Sequence, residues 1–214
     1  MLHKPTKTQN CSLTRSKSGY LVFLLVTLIA FFGCQSESGK KADLKVPPPN
    51  ADYFQEISKQ IGLDFVHSIG GPDLNNIIES SCGGATFFDY NQDGYIDIYV
   101  CSGTWLEGFT KSEKPAELPH NHLYHNNGDG TFRDVTKKAG VGGPWYSMGA
   151  TAGDFNNDGY PDLYICNYGT NVLLMNKGNG TFTNVTEKSK VAGEHSCSVG
   201  AVWFDYDNDS YLDL

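Results

Sequence analysis

From residue 84 onward, short apolar runs alternate with polar breaks rich in Asp, Asn and Gly. The stretches Ala85-Thr-Phe-Phe88 and Ile96-Asp-Ile-Tyr-Val100 are typical: aromatic or β-branched and only a few residues long. Such runs fit the pleated, half-buried surface of a strand better than a helix. The breaks carry Asn127-Gly128 and Asp129-Gly130, dipeptides that close hairpins because they tolerate positive φ. The chain therefore reads as all-β.

The pattern repeats. Acidic breaks start at Asp89, Asp154 and Asp205. Gly84-Ala85, Gly149-Ala150 and Gly200-Ala201 each place the Ala four residues before that Asp. Asn121 to Phe132 returns as Asn171 to Phe182, and Phe132 to Thr136 as Phe182 to Thr186. Phe54 to Ser58 reads as an earlier copy of that last strand. A period near fifty residues, with short strands and Gly-rich turns, predicts a solenoid or propeller. Each unit holds an inner strand, an acidic turn, a second strand, a glycine hairpin and a further strand, matching four-stranded propeller blades.

The acidic breaks have chemistry of their own. Side-chain oxygens fall at loop positions 1, 3, 5 and 9, a spacing that wraps a short loop around one hard cation. The first loop offers Asp89, Asn91, Asp93 and Asp97, with the Tyr95 carbonyl at position 7. The second offers Asp154, Asn156, Asp158 and Asp162, with the Tyr160 carbonyl. The third offers Asp205, Asp207, Asp209 and Asp213, with the Tyr211 carbonyl. Calcium takes six to eight oxygen ligands in flexible geometry, whereas magnesium demands a tight octahedron. Up to three structural Ca²⁺ sites are expected. Gly94 and Gly159 occupy position 6, where positive φ is expected; Ser210 replaces them in the third loop. An EF-hand is excluded, because it needs flanking helices and a Glu at position 12, where Val100 and Ile165 stand.

These features resemble the FG-GAP/VCBS repeat family, whose calcium-loop blades also build integrin-α propellers. The closer likeness is to the bacterial and animal group related to cartilage acidic protein. It rests on Phe54, Ile57-Ser58, Gly62-Leu-Asp-Phe-Val-His67, Glu79, the Gly-Ala strands, the three loops and the Asn-x-Leu and Gly-x-Gly-Thr-Phe stretches. The resemblance implies a calcium-stabilised β-propeller in an extracellular or surface protein, with the loop Asp and Asn residues as metal ligands. It carries over no catalytic residue. Residues 52–214 form about three blades, fewer than the four to eight of a closed propeller. The expectation is an incomplete propeller, truncated at the C-terminus or completed by a partner chain.

Residues 1–33 have a basic start, a thirteen-residue apolar core from Tyr20 to Phe32, and Gly33. That is the layout of a signal peptide, too short to span a bilayer comfortably. Phe31-Phe-Gly-Cys34 resembles a bacterial lipobox, with Cys34 as the lipidated residue; plain secretion and an uncleaved anchor are the alternatives. Residues 34–51, with a Pro47-Pro-Pro49 run, read as a flexible tether. The expected location is outside the cytoplasm, as a membrane-anchored lipoprotein in the periplasm or at the cell surface.

Charge changes this picture little. Removing residues 1–33, with four basic residues and no acid, takes the formal charge from −8 to −12. Ten of the remaining acids are loop aspartates. The acidity fits calcium binding and excludes nucleic acid, which asks for a basic face. Cys82, Cys101, Cys166 and Cys197 permit two disulfides in an exported domain, Cys82–Cys101 and Cys166–Cys197 being the expected pairing; four buried thiols are the alternative. Pro119-His-Asn-His-Leu-Tyr-His125 reads first as a repeat strand with histidine substituted in, and second as a transition-metal tract. Trp145, Tyr146, Trp203 and Phe204 read as packing aromatics. The insertion Ser102–His120 reads equally as a binding segment or a plain loop.

No catalytic constellation appears, so the chain reads as a non-enzyme. The expected function is binding or adhesion to an extracellular protein or glycan. The alternative is a propeller portion, catalytic or not, of a larger enzyme acting on extracellular polysaccharide.

Overall fold

The computed structural model of the chain describes residues 54–193 and 196–214. The signal peptide, Cys34 and the tether lie outside the described residues.

Four strands form the first sheet: β1 (Ala85–Phe88), β2 (Asp97–Val100), β3 (His122–Asn126) and β4 (Phe132–Asp134). They pair antiparallel in chain order. The second sheet repeats this with β5 (Ser147–Gly153), β6 (Asp162–Gly169), β7 (Val172–Asn176) and β8 (Phe182–Asn184). A single helical turn follows each last strand, α1 (Thr136–Ala139) and α2 (Thr186–Ser189). The strand β9 (Ser196–Cys197) pairs with the end of β6 that β5 leaves free. A bridge between Phe204 and Asp213 then closes the third acidic loop. The architecture is all-β: two four-stranded propeller blades and the first hairpin of a third.

An antiparallel meander sends its turns alternately to opposite ends. The acidic loops and the glycine hairpins therefore share one end of each blade. The segment 101–121 and the helical turns occupy the other.

The core lies between blades. Alternating residues of a strand face opposite ways, and β6 uses both faces. Leu163 and Ile165 join Tyr99, Cys101 and Leu123 of blade one in one apolar layer. Tyr164 and Cys166 join Ala201 and Trp203 of the third repeat in another. The Gly-Ala pairs mark where inner strands converge. A Cβ on Gly84 would lie 3.0 Å from Gly149 Cα, and one on Gly149 2.9 Å from the Val199 carbonyl. Those glycines let neighbouring backbones touch, which is why an apolar strand begins with a residue that weakens strands.

Polar bonds tie the blades above and below this layer. At one end Asn121 Nδ2 donates to Ser147 Oγ (2.8 Å), and its repeat Asn171 Nδ2 to Ser198 Oγ (3.0 Å). At the loop end Asn176 Nδ2 of blade two donates to the Tyr90 carbonyl of blade one (2.8 Å).

Three expectations need correction. Phe54–Ser58 is no strand: Phe54 is exposed, and the Ile57 carbonyl accepts from Gln60 and Ile61 in a turn. Among the described residues no strand pairs with it. Phe204 is half exposed, unlike Tyr146, which is buried. Neither expected disulfide is present; Cys82, Cys101, Cys166 and Cys197 are free thiols. Cys197 stands opposite Tyr168, two residues from Cys166, and diagonal neighbours of that kind are about 7–8 Å apart, beyond the usual Cα reach of a disulfide, about 6.8 Å. Cys82 precedes the first strand, with its Sγ 3.3 Å from His67 Nε2. Burial pushes the Cys101 thiol up to about 12 and raises Cys166 too, so both pack as small apolar groups.

Candidate functional site

The three acidic loops share one pattern of backbone-to-carboxylate bonds at positions 1, 5 and 9. The position-1 carboxylate caps the turn: Asp89 accepts from the N–H groups of Asp93 (3.2 Å) and Gly94 (2.8 Å). Asp154 accepts from Asp158 and Gly159, and Asp205 from Asp209 and Ser210. The position-5 carboxylates of Asp93, Asp158 and Asp209 accept from the N–H groups of Tyr95, Tyr160 and Tyr211. The position-9 carboxylates of Asp97, Asp162 and Asp213 reach back to the N–H groups of Tyr90, Phe155 and Tyr206. In blades one and two they also hold the next strand, through Asn126 N–H (2.8 Å) and Asn176 N–H (2.7 Å).

Backbone conformation follows. Gly94 and Gly159 have φ of 87° and 92°, as position 6 requires. Ser210 takes φ of 72° there, a conformation a side chain resists. Position 4 is also left-handed in all three loops, at Gln92, Asn157 and Asn208. From there Gln92 Nε2 donates to the Gly159 carbonyl of the next loop, and Asn157 Nδ2 to the Ser210 carbonyl (2.8 Å). The loops form a chain in which each position 4 holds the next position 6. The rings of Tyr95 and Tyr160 lie over the hairpin glycines Gly128 and Gly178.

The electrostatics are unfavourable as they stand. Asp97 and Asp162 are fully buried. Burial, with repulsion from Asp158 and Asp154, pushes the Asp162 carboxyl up to about 6. Burial likewise raises Asp97, though His125 offsets part of it, with Nδ1 3.2 Å from Asp97 Oδ1 and Nε2 3.6 Å from Asp93 Oδ2. Asn91 Oδ1 is buried without a hydrogen-bond partner. In the third loop, ligand atoms of Asp205, Asp207 and Asp209 lie within 4.8 Å of one another. Converging oxygens, an orphaned amide oxygen and a buried acid pressed by like charges all fit a hard divalent cation.

Sequence reasoning missed several structural partners. Asn121, Asn126, Asn171 and Asn176 stood only as members of the repeated stretches 121–132 and 171–182, and the signal was their fifty-residue recurrence. The insertion Ser102–His120 is folded onto the blades. Trp105 Nε1 donates to the Ser112 carbonyl (3.0 Å), Lys114 Nζ lies 5.5 Å from the Trp105 ring, and Phe109 meets Tyr168 edge-on.

Among the described residues, no helix is long and apolar enough to cross a membrane. Over 49 residues the chain is 45% identical to human cartilage acidic protein 1, a match covering 22% of this chain and 7% of that protein. The chain thus matches only a small part of this relative's length. The sequence profile of the FG-GAP-like repeat matches residues 89–165 and again 154–214. Both matches begin on a position-1 aspartate, and together they take in more than half the sequence: the chain belongs to the FG-GAP-like repeat family.

Proposed function

We propose that this chain is a calcium-binding propeller module of an exported protein, used to bind an extracellular protein or glycan. FG-GAP-like repeats usually occur in extracellular domains and are generally non-catalytic. The observation that supports the calcium reading best is the loop skeleton itself, three copies of one bonding pattern around the same oxygen positions.

The chain's residues divide the work. Asp89, Asp154 and Asp205 set the turn, while Asp97 and Asp162 clamp it to the next strand. Asp93, Asp158 and Asp209 add carboxylate oxygens, and Asn91, Asn156 and Asp207 fill position 3. The carbonyls of Tyr95, Tyr160 and Tyr211 complete the donor set. Bound Ca²⁺ would neutralise the clustered acids and stabilise the folded state by mass action.

Ligand binding belongs to the opposite end, where the insertion Ser102–His120 presents Trp105 and the part-exposed Phe109. Loops held on a rigid scaffold are the usual place for binding residues. The leader read from residues 1–33, with Cys34 as the lipidated residue, would deliver this module to a membrane surface as a lipoprotein.

Calcium titration of the full chain by calorimetry tests the reading. Up to three equivalents should bind, with one lost in each of Asp93→Ala, Asp158→Ala and Asp209→Ala. No heat of binding, with the chain folded, would overturn it.

A further inference from the structure

Cys82 stands where the next two repeats have serine. Counted from the Gly-Ala pairs, it corresponds to Ser147 and Ser198, whose hydroxyls each accept an asparagine amide. A hydroxyl suffices at this place in the fold, so packing does not call for sulfur. Blade one puts a part-exposed thiol there and sets an imidazole against it: His67 Nε2 lies 3.3 Å from Cys82 Sγ. The ring rests on Gly83, where a Cβ would come within 2.9 Å of His67 Cε1. Glycine at that place lets the two side chains meet.

The surroundings are not those of an inert thiol. The carbonyls of Glu79, at 3.5 Å, and Ser68, at 3.9 Å, lie farther from Sγ than the imidazole does. With its hydrogen on Nδ1, His67 offers the Nε2 lone pair to the thiol hydrogen. Tyr146 lies on the buried side, its hydroxyl donating to the Ile69 carbonyl (3.1 Å). Burial first, and then Cys82 and Glu79, raise that hydroxyl, so it stays a neutral O–H. Glu79 is buried too. Its Oε2 accepts from the N–H groups of Asn75 and Asn76, which fixes the turn leading to Cys82, whereas Oε1 has no partner. Native structures keep such an orphaned group where a redox or catalytic role or a bound group accounts for it. Cys101 and Cys166, by contrast, are buried among apolar side chains.

We propose that Cys82 and His67 form a thiol–disulfide exchange site that takes the disulfide of a low-molecular-weight thiol. The Sγ–H proton passes to His67 Nε2, and the thiolate, which is the nucleophile of such exchange, attacks one sulfur of R–S–S–R. The new Sγ–S bond forms as the old S–S bond breaks. The leaving thiolate takes the proton back from His67 and departs as R–SH. Cys82 is oxidised to a mixed disulfide, the departing sulfur is reduced, and a second thiol reverses the step. Cys82 precedes β1 while the first acidic loop follows it, so the site lies at the other end of the blade and stands whether or not the loops bind calcium.

The test is reaction of the reduced full chain with glutathione disulfide at pH 6, where a free thiol is almost wholly protonated. Peptide mass spectrometry then follows the mixed disulfide at each cysteine. Cys82 should react about fivefold or more faster than N-acetylcysteine under the same conditions, and His67→Gln should remove that advantage. His67 is exposed, so the substitution leaves the blades standing, and an unchanged melt would confirm it. Cys101 and Cys166 should stay unmodified in both proteins. A Cys82 that reacts no faster than N-acetylcysteine would overturn the proposal. So would a Cys82 rate that His67→Gln leaves unchanged.

Discussion

Blades one and two share a skeleton but settle the same electrostatic problem differently. Each buries a position-9 aspartate under the next strand, where it accepts two backbone N–H bonds. Blade one places His125 beside Asp97; blade two places Met175 at the equivalent position. Burial, with repulsion from Asp158 and Asp154, drives Asp162 up to about 6. The repeated feature is the acid and its backbone partners, while the side chain set beside it varies from blade to blade.

Removing the acids should have the largest effect. Asp162→Ala and Asp97→Ala each strip two backbone N–H groups of their charged acceptor. Each should cost about 3 kcal/mol in calcium, since bonds to charged groups contribute about 1.5–3 kcal/mol apiece. Denaturant unfolding would read this, and Asp213→Ala should cost less because Asp213 is exposed. Equal losses at all three positions would erase the distinction between complete and incomplete blades.

The converging inner strands give the next effect. Gly149→Ala puts a Cβ 2.9 Å from the Val199 carbonyl and should cost about 1–3 kcal/mol, the usual range for overpacking. Gly200→Ala meets nothing within 4 Å and should be within about 0.5 kcal/mol of neutral. Thermal melts of the pair would show whether close approach, rather than the residue type, makes the glycine necessary.

Converting one blade into the other is milder. His125→Met gives blade one the residue of blade two and should cost about 1–2 kcal/mol, within the common range for single substitutions. A larger loss would mean that His125 is needed to hold Asp97. Smallest are Gln92→Ala and Asn157→Ala, which cut one loop-to-loop bond each and should cost about 1 kcal/mol.

Much of this was legible in the chain. Strands, hairpins and the acidic loops are local features, set by residues within about ten positions, and local periodicity reports them well. Gly94 and Gly159 announced their positive φ by type. What escaped was set between blades. Gln92 looks like a spacer within its own loop; its partner lies sixty-seven residues away in the next one. Asn121 and Asn171 open the repeated stretches, and their amides hold Ser147 and Ser198 of the following repeat. The cysteines misled for the same reason, because equivalent positions in a repeat do not fix the diagonal offset between strands. Ser210 stands where the other two loops have glycine, yet it takes the same left-handed conformation, and that loop's carboxylates lie close together.

The central claim is that the repeated acidic loops are calcium sites that stabilise the blades. The most direct measurement is thermal unfolding of the full chain in EDTA, in Ca²⁺ and in Mg²⁺. At a hundredfold excess over Kd, each occupied site adds about 2.7 kcal/mol. A large rise in Tm specific to Ca²⁺, reduced stepwise by Asp93→Ala and Asp158→Ala, is the predicted result. A cooperative melt at the same Tm in all three buffers would contradict the account and leave the loops as turns alone.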